Sequence, residues 1–122
     1  MNNEEINRAI AEHLGWRWFD HPDTRERTKT FTLSDKWVLN PAGELVFPHS
    51  VPNYCGDLNA MHEAEKVLLA DANTGYEYDM ELNGVCECRE DGIMNYMKLW
   101  HSTARQRAEA FLRTFGKWKE NE

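Results

Sequence analysis

The sequence predicts a layered α+β domain with mainly antiparallel strands, and three observations support this class. Apolar residues recur at helical spacing near both ends of the chain and over residues 57–70. Apolar and polar residues alternate strictly from Tyr76 to Asn83, which is typical of a strand with one solvated face. The predicted strands are joined by short turns, as antiparallel neighbours are. Helices must then cover apolar sheet surface, which gives a layered arrangement.

The first helix is predicted over residues 4–14. Ile6, Ile10 and Leu14 recur four residues apart and define one apolar face. Asn3 stands where a helix cap is expected, and Gly15 stands where a helix commonly ends.

Residues 16–52 are predicted to be mostly loop and edge structure, because all four prolines of the chain lie there. The weak alternation from Lys29 to Asn40 fits one or two short strands, and Pro41-Ala42-Gly43 fits a turn. Loops vary most among related proteins and often carry function, so we expect variation or function in this stretch.

A second helix is predicted over residues 57–70, with Asp71–Gly75 as its exit turn. The alternating segment from Tyr76 to Leu82 is predicted as a half-buried strand that ends at the turn signal Asn83-Gly84. After a polar, turn-like stretch, the segment from Gly92 to His101 is predicted as a second, more central strand, because both of its faces are apolar.

The last helix has the clearest signals. Thr103 and Gln106 have the spacing of a capping box, and Gly116 stands where a left-handed residue would end the helix. The buried stripe is predicted to consist of Ala104, Ala108, Phe111, Leu112 and Phe115.

Composition and charge limit the function. The 122 residues match the size of one domain, and the formal net charge is −7, from 14 basic and 21 acidic residues. Proteins that bind polymeric nucleic acid gain affinity by neutralising phosphates, so the acidic balance argues against DNA or RNA as the main ligand. A small nucleotide in a local basic pocket stays compatible with this charge.

Three cysteines, no recognisable signal peptide and no long apolar run predict a cytoplasmic protein with reduced thiols, not bound to a membrane. The pair Cys86 and Cys88 lacks the second ligand pair of a structural zinc site, so no metal is expected. The five histidines have no ligand spacing, and no triad, phosphate loop or zinc-protease pattern occurs. We therefore expect no cofactor and no enzyme activity.

Three segments together resemble the phage ABA sandwich domain family, whose members are small phage and prophage proteins. They are Ile6 to Trp16, Val51 to Leu68 and Ser102 to Trp118, in the family's order. The resemblance implies one three-layer α-β-α sandwich over residues 1–122, with helices on both faces of the sheet. It also implies a bacteriophage or prophage gene, and no catalytic residues come with it. Residues Arg17 to Ser50 match the family least.

One candidate binding cluster lies where the second helix begins, since a helix N-terminus presents free amides to a polar ligand. In this interpretation Asn53 and Asn59 select a base by hydrogen bonds, and Tyr54 stacks on it. The competing interpretation is structural, with Asp57 as a helix cap and Asn53 as a turn former. The cluster consists of Asn53, Tyr54, Asp57 and Asn59.

Further candidates are cations and aromatic residues. Arg107 has no acidic residue at helical spacing and is the first choice for a phosphate contact, with Arg105 second. Either arginine can instead belong to a solvated face, where Arg105, Glu109 and Arg113 have the spacing of a surface ion-pair ladder. Trp16 or Trp18 can stack on a base, or close one end of the core.

These candidates leave two functional hypotheses. The first is a non-catalytic ligand-binding protein, a counter-defence sponge that sequesters a host immune nucleotide signal. The second is a module that binds and inhibits a host defence protein through an acidic or aromatic surface. Because the candidates are far apart in sequence, a pocket completed between subunits of a homo-oligomer is a further expectation.

Overall fold

The structure is a computed structural model that describes residues 1–18, 38–90 and 93–120. Helices and short antiparallel strands are both present, so the α+β class is confirmed. The chain forms two compact units, Met1–Ile10 with Asn53–Glu122, and Ala11–Pro52. Of the alternation predicted from Lys29 to Asn40, the part up to Trp37 lies outside the described residues.

The described elements follow in chain order. They are α1 (Asn3–His13), β1 (Arg17–Trp18), β2 (Val38–Leu39), β3 (Leu45–Val46), α2 (Leu58–Glu65), α3 (Ala72–Val85), β4 (Arg89–Glu90), β5 (Ile93–Met94), α4 (Tyr96–Trp100) and α5 (Ala104–Thr114), with 3-10 helices at Pro48–Ser50 and Lys66–Ala70. Within the described ranges, no helix is both long and apolar enough to cross a membrane.

In the unit formed by Met1–Ile10 and Asn53–Glu122, α5 is the central helix. It packs against α3 and α2, and Phe111 and Leu112 are fully buried. The capping box is confirmed: Thr103 Oγ1 accepts from the Gln106 amide at 3.1 Å, and the Thr103 amide donates to Gln106 Oε1 at 2.8 Å. These two bonds satisfy backbone donors that would otherwise be unpaired at the first turn.

Helix α1 agrees with the prediction to within one residue at each end, and its apolar face is buried at Ile6 and Ile10. The predicted helix over residues 57–70 is confirmed with one difference. Helix α2 is α-helical only to Glu65 and continues as a 3-10 helix over Lys66–Ala70. Met61, Ala64 and Leu68 form its buried side, as the helical spacing requires.

The strand predicted from Tyr76 to Leu82 is wrong, because these residues belong to α3. The alternating pattern contains two pairs spaced by four residues, and in the helix Tyr78 and Leu82 are buried while Tyr76 and Met80 are exposed. Asp71, predicted to begin an exit turn, caps the helix by accepting from the Asn73 amide at 3.0 Å.

The turn predicted at Asn83-Gly84 is likewise wrong, since both residues lie in the last turn of α3. A second correction concerns the strand predicted from Gly92 to His101, which reaches only Ile93–Met94. Asn95 Oδ1 then accepts from the Met97 amide at 3.1 Å and starts helix α4. The strands β4 and β5 pair as an antiparallel hairpin. The Asn95 cap outweighs the apolar pattern of this segment, because its side chain satisfies backbone amides at the start of α4. In a strand, those amides would need a neighbouring strand as partner.

The unit Ala11–Pro52 contains the end of α1 and a three-stranded antiparallel sheet in the order β1-β2-β3. Gly15 ends the helix with a φ of 109°, as expected for a glycine stop. The predicted turn at Pro41-Ala42-Gly43 joins β2 to β3, where the Gly43 amide donates to the Asn40 carbonyl at 2.9 Å. Val38 is fully buried and belongs to the core of this sheet.

Gly116 provides a test of how α5 ends. Its φ is 69°, a left-handed conformation that β-branched residues adopt poorly. No atom lies within 4 Å of the position its Cβ would take, so backbone strain alone decides the outcome. We expect Gly116→Val to lower the free energy of unfolding by about 1–3 kcal/mol in urea denaturation. Gly84→Ala is the control, because it adds a Cβ in equally open space at a helical φ and should stabilise. Equal stability of Gly116→Val and wild type would contradict the left-handed stop.

Candidate functional site

The predicted cluster at the start of α2 is mainly structural. Asp57 Oδ1 accepts from the Asn59 amide at 2.9 Å, which makes Asp57 the N-cap. Asn53 Oδ1 accepts from Asn7 Nδ2 at 3.0 Å, and this bond ties the loop to α1. Tyr54 is only 3% exposed, so its ring belongs to the core and offers no open face for stacking. Asn59 is exposed, as are Asn53 and Asp57, and its contact with a ligand stays a prediction.

Arg107 has an acidic partner on another helix. Its Nη1 donates to both carboxylate oxygens of Glu65 on α2, at 3.2 and 3.4 Å, and both side chains are 19% exposed. Tyr78 on α3 is buried beside this pair, although its hydroxyl makes no well-aligned hydrogen bond within the described part of the chain. Burial, reinforced by the negative charge of Glu65, raises the pKa of Tyr78 well above its ordinary value. This cluster joins three helices.

The remaining cations of α5 are also engaged within the fold. Arg105 Nη2 donates to the Met1 carbonyl at 3.3 Å rather than to Glu109. Arg113 forms the other predicted ion pair, with its Nε 2.9 Å from a carboxylate oxygen of Glu109. A second ion pair joins Arg113 Nη2 to Glu120 at 2.9 Å. Within the described residues, the arginines of α5 therefore hold chain segments together.

Trp16 and Trp18 lie in the unit Ala11–Pro52, where both are half-buried. Trp18 is in β1 opposite Val38, and the Trp16 amide donates to the Ala11 carbonyl at 3.0 Å. Stacking of either ring on a ligand stays a prediction.

An open cleft that the sequence did not predict lies beside the end of α3. Its volume is about 560 Å³, within the range of small-molecule sites, about 300–1,000 Å³. Helix α3 forms one wall, the turn after it and β4 form the second, and α4 contributes a side chain from a third direction. The lining residues are Met80, Asn83, Gly84, Glu87, Arg89 and Lys98.

The backbone at the end of α3 shapes this cleft. Glu87 has a φ of 52°, and this left-handed residue turns the chain from the helix into β4. The Cys88 amide donates to the Asn83 carbonyl at 3.1 Å, and Lys98 Nζ donates to the Glu87 carbonyl at 3.3 Å. These bonds fix the turn and hold the α4 ammonium at its edge.

The described lining combines an apolar floor, formed by Met80 and Gly84, with charged side chains at the opening. Arg89 and Lys98 supply two positive charges, and Glu87 supplies one negative charge. The Met80 side chain is 52% exposed, and a Cβ at Gly84 would meet no atom within 4 Å, so a flat group can approach the helix backbone there. Asn83 Oδ1 is buried without a hydrogen-bond partner in the described chain, and a ligand N–H that reached it would recover the cost of that desolvation.

The sequence contains one pattern that could have indicated this cleft, which is the helical spacing of four of its lining residues. Met80 and Gly84 are four residues apart, as are Asn83 and Glu87. The strand interpretation instead placed Met80 on the same buried face as Tyr78, and it assigned Asn83-Gly84 to a turn. Arg89 and Lys98 come together only through the hairpin and the short helix α4, which local patterns did not reveal.

The cysteines are free and buried, and in the described residues no group of three or more acidic, histidine or cysteine side chains is placed to hold a metal. Burial raises the pKa of the Cys55 and Cys86 thiols. Thiolate is the reactive form, so these thiols should react slowly with an alkylating reagent near neutral pH.

We therefore expect alkylation by iodoacetamide at pH 7 to be strongly slowed in the folded protein and rapid in urea, as measured by mass spectrometry. Treatment with chelator and reductant should leave the circular dichroism spectrum and the melting temperature unchanged. Fast labelling of the folded protein, or unfolding under either treatment, would contradict this account of Cys55, Cys86 and Cys88.

Comparisons with known proteins identified no match to this chain. The sequence matches no protein-family model and no curated protein, and the fold matches no solved structure.

Proposed function

We propose that this protein is a non-catalytic binder of a small anionic nucleotide and that the ligand occupies the cleft beside the end of α3. The observation that carries the proposal is the convergence of Arg89 and Lys98, from separate elements, on an apolar floor. The charges described at this opening are two cations and one carboxylate, on a chain of net charge −7. This local composition supports recognition of an anion by contact rather than by long-range attraction.

The proposed contacts divide the ligand into two parts. The guanidinium of Arg89 and the ammonium of Lys98 hold a phosphate, and the arginine adds a planar donor geometry that fits two phosphate oxygens. An aromatic base lies on Met80 and Gly84, where a thioether and an open glycine surface accept a flat ring. Among the described lining residues, no nucleophile stands beside a base, and the proposal is therefore one of binding without chemistry.

The biological setting proposed is that of a phage or prophage protein in the bacterial cytoplasm, where it sequesters a host immune nucleotide. This setting rests on the three sequence segments that resemble the phage ABA sandwich family. The three-layer α-β-α arrangement is part of the same proposal. Ligand contacts by Asn53, Asn59 and Arg105, and stacking by Trp16 or Trp18 in the unit Ala11–Pro52, remain separate predictions, as does a homo-oligomer.

Thermal melting with a nucleotide panel tests the proposal. A ligand present at one hundred times its dissociation constant should stabilise the protein by about 2.7 kcal/mol. We expect Lys98→Glu to abolish the shift, whereas Lys117→Glu, which changes the net charge equally outside the cleft lining, should retain it. Gly84→Trp should fill the cleft and also abolish the shift, with Gly84→Ala as its control. Shifts that persist in both cleft variants would place the ligand elsewhere, and no shift with any nucleotide would overturn the proposal.

A second candidate function, docking on a host protein, is favoured by a separate observation. Helix α4 exposes three large apolar side chains, Tyr96, Met97 and Trp100, and Trp100 is 68% exposed. The Tyr96 and Trp100 rings lie against each other with centroids 6.4 Å apart. Exposed aromatic groups of this kind are enriched at the energetic centres of protein interfaces.

Capture from a host lysate tests this candidate. Wild type and a Tyr96→Ser/Trp100→Ser variant are compared, and a host protein retained only by wild type supports docking through α4. Analytical ultracentrifugation of both proteins separates this result from self-association. Equal retention of every host protein by the two samples would exclude α4 as the docking surface.

A further inference from the structure

We propose that one face of α3 is a docking surface for a basic amphipathic helix of another protein. This surface, the outer face of α3, consists of Tyr76, Glu77, Asp79, Met80 and Glu81. Of these residues only Met80 also lines the cleft. The outer face is therefore largely separate from the proposed nucleotide site, and it belongs to a different helix from the exposed aromatic residues of α4.

The apolar part of the outer face follows from the way α3 packs. Helix α3 packs against α5, and its residues Tyr78 and Leu82 are buried. Residues two positions away from these point to the opposite side of a helix. Tyr76 and Met80 are four residues apart on that side, and they are 68% and 52% exposed. The fold thus leaves at the surface a tyrosine and a methionine, two residue types that are enriched at protein interfaces.

Acidic side chains border this apolar pair on both sides. Glu77 and Glu81 follow Tyr76 and Met80 by one residue each and lie along one side, and Asp79 lies along the other. Glu77 and Asp79 are exposed, and Glu81 is half-buried. None of these three carboxylates forms an ion pair with a described residue, and α3 contains no Lys, Arg or His. The outer face is therefore an apolar strip between negative charges.

The charges determine which partner fits this strip. A basic amphipathic helix places its apolar side chains on the apolar pair and its Lys or Arg side chains beside the acids, so both kinds of group are complemented. A second copy that presented the same face would bring acids against acids, since a two-fold interface uses the same patch on both subunits. Nucleic acid and anionic membranes are repelled by the same charges.

Binding of synthetic peptides to the intact chain tests the proposal. The probe is a peptide of about 18 leucines and lysines whose leucines form one helical face. One control peptide has the same composition in an order without an apolar face, and the other has glutamate in place of lysine. We expect fluorescence anisotropy to show at least about tenfold tighter binding of the amphipathic basic peptide than of either control, with weaker binding as salt is raised.

Two tyrosine substitutions locate the apolar contact. Tyr76→Ser should weaken binding of the basic peptide by at least about fivefold. Tyr96→Ser is the control, because it removes a tyrosine that is 57% exposed on α4 and should leave binding unchanged. Tyr76 lies outside the cleft lining, so Tyr76→Ser should also keep the thermal shift caused by a nucleotide.

Two double substitutions test the acids. Glu77→Gln/Asp79→Asn should weaken binding of the basic peptide by about 3–10-fold and reduce its salt dependence. Glu4→Gln/Glu44→Gln removes the same charge at exposed positions outside α3 and should have little effect. Equal weakening by both double variants would mean that net charge, not the outer face, attracts the peptide, and would overturn the proposal.

Three further results would contradict the outer face as the docking surface. They are equal binding of either control peptide, full binding by Tyr76→Ser, and loss of binding in Tyr96→Ser alone. Self-association in sedimentation experiments that Tyr76→Ser abolishes would assign the outer face to a second copy instead. Each of these results leaves the nucleotide site untouched, and failure of every nucleotide to bind would leave the docking surface untouched.

Discussion

Replacing Phe111 by alanine should cost about 3–5 kcal/mol of unfolding free energy, the largest effect we expect from a single substitution. The Phe111 side chain is fully buried on α5, the helix against which α2 and α3 pack. Its ring also meets Phe115 edge to face, with centroids 4.9 Å apart. The substitution removes apolar contacts and leaves a cavity that fixed helices cannot close. Urea denaturation with circular dichroism measures the loss.

Phe115→Ala is the matched control, because it deletes the same ring at the half-buried C-cap of the same helix. It should cost clearly less than Phe111→Ala, although it also removes the edge-to-face contact. A loss under about 1 kcal/mol for Phe111→Ala would mean that this face of α5 is not core.

Replacing Arg107 by alanine should lower the unfolding free energy by about 2–3 kcal/mol. The substitution leaves Glu65, whose side chain is 19% exposed, without its counter-charge beside the buried Tyr78. An unpaired carboxylate in such a place costs more than the pair gains, because its desolvation is no longer compensated. This expectation replaces a purely ligand-binding role for Arg107, in which the free protein would keep its melting temperature.

A double-mutant cycle with Glu65→Ala isolates the pair from other effects of truncation. Lys66→Ala is the control, since the Lys66–Glu63 pair is largely exposed and should contribute at most about 0.5 kcal/mol. A coupling energy between Glu65 and Arg107 no larger than the loss caused by Lys66→Ala would show that the pair does not stabilise the fold.

Elements with strong local signals were predictable from the sequence. The capping box at Thr103, the glycine at 116 and the apolar stripe through Phe111 act within one helix, so their spacing determines the outcome. The segment from Tyr76 to Leu82 shows the opposite case. Alternation is compatible with a strand, but it also contains two four-residue pairs, and the cap at Asp71 decides for a helix. Propensity patterns remain ambiguous where one local hydrogen bond determines the structure.

The candidate site was less predictable because it depends on tertiary contacts. The ion pair of Arg107 with Glu65 joins residues 42 positions apart, and no helical spacing indicates it. Tyr54 was predicted to stack on a ligand, but the fold buries it. Arg89 and Lys98 become neighbours through a hairpin and a five-residue helix whose boundaries the apolar pattern misplaced.

Mapping of the ligand by nuclear magnetic resonance tests the central claim most directly. A ¹⁵N-labelled sample is titrated with adenosine 3′,5′-cyclic monophosphate, and amide shifts are followed by residue. The cleft account predicts that the largest shifts lie at Gly84, Glu87, Arg89 and Lys98, and that Gly84→Trp removes them. Shifts concentrated instead at residues 53–59, or at Trp16 and Trp18, would contradict the cleft as the binding site.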